Sequence, residues 1–347
     1  MKAFVYQETG GLALLECRNP SYDEHSAVIK VRATAVCGTD LRTFRSGSSK
    51  ITPPRIVGHE VVGEIAAIGA SVRGFALGDR VQITPAIGCG KCPPCRKGWT
   101  NLCDHLQTIG FQYDGSFAEL MEIPAAAFAA GHVTRVEEAI PDDLAVLAEP
   151  IACVENAQQH LRIAEHDTVA VFGSGFIGCV HAQLAWLKGA DKVLLVELNQ
   201  GRARFAKSVL PDLVVIDPTK VHEHVMAETG GLGVDVAVTA CSSGAAQKDA
   251  LAICAKRGRV SLFGGLPPGT PSNGHVDSNV VHYREISVFG AHASTAAQNR
   301  AMLTLIGSGK LKVEAFSRDT YALSNIMDAF NDLVSERVVK AIIHPGA

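Results

Sequence analysis

The chain has 347 residues, 47% of them hydrophobic, with 32 basic against 35 acidic side chains and a formal net charge of −3. That length supports two domains with full cores rather than one oversized core. The near-balanced charge, without a long basic run, gives no footing to nucleic acid or an anionic membrane and points to small-molecule partners.

The first residues, Met1 to Glu8, hold no apolar run of signal-peptide length, so nothing marks the chain for export. From residue 1 to about 150 short strand patterns alternate with turn residues. Ala27–Ala33, Val61–Ile68, Asp79–Thr84 and Phe117–Ile123 predict a β-rich, barrel-like domain. Two short polar groups lie inside it beside turn glycines, Cys37-Gly38-Thr39-Asp40 and Gly58-His59-Glu60, with Cys37 and His59 22 positions apart. Next comes the densest signal in the chain: Cys89, Cys92, Cys95 and Cys103, a CxxCxxC run with a fourth cysteine returning after a loop. This is tetrathiolate spacing, with zinc as the metal. Cysteines packed so closely are poorly placed to bridge one another. A closed four-sulfur site holds a lobe together (residues 86–104) and leaves the chemistry to be found elsewhere. The other cysteines, Cys17, Cys153, Cys179, Cys241 and Cys254 among them, read as buried small apolar residues of a reducing, cytoplasmic setting.

The texture changes after Ile151. Val169–Phe172, Lys192–Val196, Leu213–Ile216, Val234–Val238 and Arg259–Phe263 are apolar strands separated by helix-length stretches, as a parallel α/β domain over residues 151–292 requires. Thr168 to Leu187 holds no Asp, Glu, Lys or Arg over 20 residues, a membrane-spanning length. Its glycines, His181 and Gln183 favour a buried strand, turn and helix instead. The turn is Gly173-Ser174-Gly175-Phe176-Ile177-Gly178, with apolar Ile177, Val180, Leu184 and Leu187 at helical spacing behind it. A strand before and a helix after make this a dinucleotide-binding turn, its glycines admitting the backbone to the pyrophosphate. Glu197 stands 19 residues beyond Gly178, at the end of the next strand, where an acid grips ribose hydroxyls. Its charge would repel a 2′-phosphate and Leu198 brings no cation, which favours NAD; Arg202 and Arg204 keep NADP open. The tail carries an amphipathic stretch near Arg300–Ile306 and a last strand Val338–Ile343, and rejoins the first domain as residues 293–347.

A nicotinamide cofactor beside a structural zinc lobe makes a catalytic zinc plausible, and Cys37 and His59 can supply two ligands, with Glu60 and Glu149 for the rest. Cys153 is a rival nearby. Taken together, Cys37-Gly-Thr-Asp, Gly58-His-Glu-x-x-Gly63-x5-Gly69, Gly78-Asp-Arg-Val81, the cysteine lobe, Asp114-Gly-Ser-Phe-Ala, Glu149-Pro150 and the Gly173–Gly178 turn resemble the zinc-dependent medium-chain dehydrogenase/reductase family. The resemblance runs the length of the chain. It implies a GroES-like catalytic domain, built from both chain ends, together with a Rossmann domain, and an assembly of two or four copies in which strands near Glu285–Phe289 extend a sheet across subunits.

The resemblance also assigns roles. Cys37 and His59 become catalytic zinc ligands, Glu60 a ligand or its support, and Glu149 takes the place where alcohol dehydrogenases have a third cysteine and polyol dehydrogenases have Glu-Pro. That departure resembles the sorbitol and polyol branch. Pro150 suits a helix start, which would keep Glu149 ionised. Thr39 is implied as the group that relays the hydroxyl proton. Cofactor contacts are implied at Gly173, Gly175, Phe176, Ile177, Gly178, Glu197, Arg202, Cys241, Phe263, Gly264 and Gly265, and at Ala291, His292 and Ala293 beside the nicotinamide. Oxidation of a secondary alcohol by NAD is the expected reaction. Threonine dehydrogenases are close relatives of this pattern, but Pro85-Ala86-Ile87-Gly88 lacks the histidine they carry there. Arg42, Arg45 and Lys50 read first as solvated charges and second as an anion grip. His275 and His282 have no assigned role.

Overall fold

The computed structural model describes residues 1–8, 11–266 and 276–346; His275 lies outside them. Two compact units appear, Met1–Ala152 with Ala293–Ala347, and Cys153–His292.

In the first unit, residues that alternate or run apolar with β-branched side chains build a seven-stranded sheet. Its order is Val133–Arg135, Arg80–Ile83, Glu60–Ile68, Ala27–Ala35, Ile342–His344 and Thr320–Ala322, with Leu120–Ile123 also pairing with Ala27–Ala35. Only Thr320–Ala322 and Ile342–His344 pair in parallel; the other ladders are antiparallel. The ladder between Ala27–Ala35 and Glu60–Ile68 is bulged at two places, which curls a long pair as a barrel wall needs. Two further strands at the chain start, Lys2–Tyr6 and Leu12–Glu16, form a hairpin against Arg55–Ile56. The predicted strand Phe117–Ile123 is shorter than expected, Leu120–Ile123, because the Phe117 backbone bonds instead to Phe4 and Val57, beside the chain-start hairpin. The predicted last strand Val338–Ile343 is Ile342–His344.

One core cluster of this unit is built around aromatic rings, another around Ile and Val side chains such as Ile29, Ile65 and Ile83. Phe4, Phe117 and Phe330 meet at centroid distances of 5.5–6.3 Å in tilted and edge-on pairs, and Phe44 adds to Phe330 at 5.4 Å. Such pairs contribute roughly 0.5–1.5 kcal/mol beyond area burial. They also tie the first strand, the middle of the unit and the late helix Ile326–Val334 to one another.

The second unit is one parallel sheet of six strands: Thr168–Phe172, Lys192–Val196, Val214–Ile216, Val234–Thr239, Cys254–Leu262 and Ser287–Gly290. Counted along this unit the spatial order is 3-2-1-4-5-6, so the sheet reverses direction of growth between Thr168–Phe172 and Val234–Thr239. A crevice opens at the strand ends of such a switch point, and ligands bind there. The charge-free stretch resolves into the strand Thr168–Phe172 and the helix Phe176–Leu187. No helix among the described residues is long and apolar enough to cross a membrane. The helix hides most of its circumference, not one stripe: His181, Ala182 and Gln183 are buried beside Val180 and Leu184, whereas Leu187 is 47% exposed.

Candidate functional site

Cys37 caps the helix Gly38–Ser46: its Sγ accepts from the Thr39 amide at 3.5 Å, and its own amide donates to Asp40 Oδ2 at 2.9 Å. This reciprocal pair is a capping box, with a thiol where a hydroxyl usually stands. His59 and Glu60 sit where the strand Glu60–Ile68 begins, after Gly58 at φ +93°. A Cβ at Gly58 would lie 2.8 Å from the Phe117 ring, so only glycine lets the chain press this closely on the core.

These two turns converge. One donor atom from each of Cys37, His59 and Glu60 lies within 4.8 Å of the others. His59 and Glu60 are buried and Cys37 is partly so. Asp40, also buried, places Oδ1 3.5 Å from His59 Nδ1, so one carboxylate holds both the Cys37 turn and the imidazole. Burial pulls the His59 pKa down, but Asp40 and then Cys37 outweigh it and hold the ring well above its usual range. The pocket therefore attracts positive charge. Glu60 Oε2 accepts from Lys340 Nζ at 2.5 Å, and the same ammonium donates to the Val36 carbonyl at 3.0 Å. Glu60 Oε1 is buried with no hydrogen-bond partner among the described residues, an acceptor a cation would satisfy. A thiolate, an imidazole and a carboxylate are a donor set that suits zinc and leaves a fourth position open.

Glu149 is buried in the first turn of the helix Ala148–Leu161, which starts two residues ahead of Pro150. The converging group found among the described residues is Cys37, His59 and Glu60. Thr39 is half-buried in the first turn after Cys37. Arg42, Arg45 and Lys50 are exposed, as solvated charges are.

The four lobe cysteines form the second cluster, again within 4.8 Å of one another and all unbridged. Cys92 caps the short helix Pro93–Arg96 and Cys103 closes the turn Thr100–Leu102. Amides of Cys89 and His105 both donate to Cys103 Sγ at 3.2 Å. The Lys91 and Cys92 amides pull the Cys89 pKa down to about 6, while burial and Cys92 push Cys95 up to about 12. Thiols in this contact cannot all ionise without a counter-charge, and four sulfurs select a tetrahedral soft ion.

In the second unit Gly173 sits at φ +101° and its amide donates to the Val196 carbonyl at 2.8 Å. A Cβ at Gly178 would meet the Gly173 oxygen at 1.8 Å, so strand and helix approach only because Gly178 has none. Gly175 caps the helix Phe176–Leu187, and no neighbour lies within 4 Å of its Cβ direction. That open helix start, with Phe176 and Ile177 behind it, is an anion cradle. Glu197 Oε2 accepts from Ser174 N at 2.8 Å and Ser174 Oγ at 2.7 Å, and Oε1 accepts from Asn199 N at 2.7 Å. Arg202 lies in the next helix, its amide donating to the Asn199 side chain. Across the switch point, a Cβ at Gly173 would lie 3.3 Å from the Cys241 Cβ. A Cβ at Gly264 would lie 2.2 Å from the Cys241 oxygen. Phe263 stands edge-on to His181 at 4.9 Å, and Gly265 and Ala291–His292 follow strand ends. Ala293, at φ +50°, opens the return of the first unit. Of the remaining cysteines Cys179 and Cys254 are buried, but Cys17, Cys153 and Cys241 are only partly so. His282 packs edge-on against Tyr283 in an exposed helix and shows no link to either cluster.

Three contributors were not singled out by the sequence reading. Asp40 was visible as the fourth residue of a cap pattern. Lys340 is a lone cation in an apolar strand pattern, and Ser174 is an unassigned position inside the glycine turn.

Residues 23–133 match the Alcohol dehydrogenase GroES-like domain family and residues 177–308 the Zinc-binding dehydrogenase family. A sorbitol dehydrogenase of Halalkalibacterium halodurans is 31% identical, with 99% of each chain covered. An L-threonine 3-dehydrogenase of Vibrio parahaemolyticus is also 31% identical, over 96% of this chain and 95% of that one. Among solved structures, a candidate zinc-binding dehydrogenase of Sinorhizobium meliloti 1021 bound to NADP superposes with a TM-score of 0.88 at 27% identity, covering 99% of both chains. A protein of E. coli CFT073, described as a short chain alcohol dehydrogenase complexed with cofactor NADH, gives 0.88 at 26% identity, again over 99% of both.

Proposed function

Because this chain belongs to the zinc-dependent medium-chain dehydrogenase/reductase family, and is an alcohol dehydrogenase-type oxidoreductase, we propose that it oxidises a secondary alcohol of the polyol or sugar-alcohol class with NAD. The observation that carries this is the convergence of Cys37, His59 and Glu60 in a chain that also holds the Gly173–Gly178 turn.

Zinc, when bound, supplies Lewis acidity that eases ionisation of the substrate hydroxyl, and NAD accepts the hydride. Cys37, His59 and Glu60 would hold the metal, with Glu149 as the alternative carboxylate. Asp40 keeps Cys37 and His59 in register, and Lys340 holds one Glu60 oxygen, leaving the other without a hydrogen-bond partner among the described residues. Thr39 takes the hydroxyl proton and passes it toward solvent. Cys89, Cys92, Cys95 and Cys103 hold a second, structural zinc away from the reaction. The preference for NAD rests on Glu197, pinned by Ser174 and Asn199 and followed by Leu198, which is 74% exposed and brings no cation. The functional setting is cytoplasmic, and the assembly is a homodimer or homotetramer.

A second reading, threonine oxidation, is favoured by the L-threonine 3-dehydrogenase similarity. The stretch Pro85–Gly88 weighs against it, since it carries no histidine. Initial rates with NAD and with NADP over polyols, sugar phosphates, hydroxy acids and threonine decide between them. The proposal expects a polyol to give the highest kcat/KM and NAD to exceed NADP; the best rate on threonine, or a ratio of NADP over NAD above one, overturns the corresponding part. With that substrate, Thr39→Ala is expected to lower kcat by about 10²–10⁴. Near-unchanged kcat removes the relay.

A further inference from the structure

The first unit holds a cavity of about 460 Å³ that the proposed chemistry does not use. The segment Cys17–Ser21 and the strand Leu120–Ile123 both line it, together with Ile56, Asp114 and Gly115. Two opposite charges there are unspent: Arg18 is exposed, Glu122 half-buried, and among the described residues neither has a hydrogen-bond or ion-pair partner. The other guanidinium in the lining, Arg55, is already committed to Asp114 at 2.9 Å. Burial, then Asp23 and Asp114, raises the Glu122 pKa, the condition of a carboxyl that a cation would relieve. Val5, Leu120 and Met121 add apolar surface.

The lining is stitched to the catalytic site. Asp114 Oδ1 accepts from the Ile56 amide at 3.2 Å, the Gly115 amide donates to Ile56 O at 2.8 Å, and the Ser116 amide to Gly58 O at 3.1 Å. Cβ atoms at Gly110 and Gly115 would strike Gly58 O at 2.8 and 2.3 Å, so the segment lies hard against the residue before His59. Within it the Phe111 ring stands 6.2 Å from the His59 ring. Packed segments of this kind pass a displacement on, because they have no slack to absorb it.

We propose that this cavity is a second ligand site, for a small dipolar molecule that offers an ammonium to Glu122 and a carboxylate to Arg18, as free amino acids do. Filling it shifts the His59 side of the catalytic site through Gly110–Ser116. Charge-assisted contacts at both ends select such a ligand over one with a single charge.

The test is calorimetric titration of the zinc-loaded full chain with the common amino acids, using butylamine and butyrate as single-charge controls. Heats are read without turnover, so failure of the polyol reading does not decide this one. At least one amino acid is expected to bind, with the controls weaker by about tenfold or more; Glu122→Gln and Arg18→Ala, both outside the core, each weaken it about tenfold. The same ligand is expected to shift the visible absorption of cobalt-substituted protein, and not that of Glu122→Gln. Absence of binding, controls that bind equally, or binding that survives both substitutions overturns the site. An unchanged cobalt spectrum at saturation overturns the link to His59.

Discussion

His181 shows what a single side chain can impose. It is fully buried in the helix Phe176–Leu187, its Nδ1 3.3 Å from Gln158 Nε2. Burial, then Lys188, pushes its pKa down to about 3. The unfolded chain takes up this proton near pH 6.5, and the folded chain refuses it until about pH 3. The stability contributed is therefore complete above about pH 6.5 and is lost as pH falls, by up to about 1.4 kcal/mol per pH unit. Urea unfolding at pH 7 and pH 5 is expected to show wild type losing about 2 kcal/mol more than His181→Leu over that interval. Equal losses would mean that the ring is hydrated or protonated in the fold. No pattern of residue types reveals this. Asp40 and Lys340 are of the same kind: their types were readable, but their partners, His59 and Glu60, come from distant turns.

At the scale of elements, local signals were strong wherever chemistry repeats at short spacing. The Gly173–Gly178 turn was legible because Gly173 and Gly178 answer nearby steric demands while Gly175 leaves the helix start open, and the strand and helix around it fell where expected. The hairpin Lys2–Tyr6 with Leu12–Glu16 was missed, since its short strands are only partly patterned and depend on Phe117 and Arg55–Ile56 for their place. The cysteine lobe was legible as a metal site from spacing alone. It belongs to a small element with little core of its own, so its metal should carry its order. Cys92→Ser is expected to reduce zinc content by about one per chain and the melting temperature by roughly 5–10 °C, with kcat preserved. A proportional loss of kcat at unchanged melting temperature would place this zinc in the reaction instead.

For the molecule as a whole, the late chain completes the first unit. Ala341, Ile342 and Ile343 are fully buried, the strand Ile342–His344 inserts between Ala27–Ala35 and Thr320–Ala322, and Lys340 is the cation that neutralises Glu60. Removing residues 340–347 takes away two large apolar side chains at about 1.5–3 kcal/mol each. It also leaves a buried carboxylate unpaired at about 3–5 kcal/mol. Together these rival the whole stability of an ordinary domain, about 5–15 kcal/mol. The truncated chain is thus expected to give no cooperative urea transition for its first unit. A transition near the wild-type midpoint would show that the last strand is dispensable.

What the amino-acid order determined unaided was local: the thiolate lobe, the dinucleotide turn, the alternation of strands and helices, and the identities of Cys37, His59 and Glu60 as available donors. These depend on spacing over a few residues, where backbone geometry leaves few outcomes. Tertiary structure alone decided which donors meet. It placed Cys37, His59 and Glu60 in one group, set Asp40 and Lys340 behind that group, and opened a charged cavity beside the segment that leads to His59. Such pairings join residues tens to hundreds of positions apart. They are settled by how whole elements pack, which no short window of sequence contains.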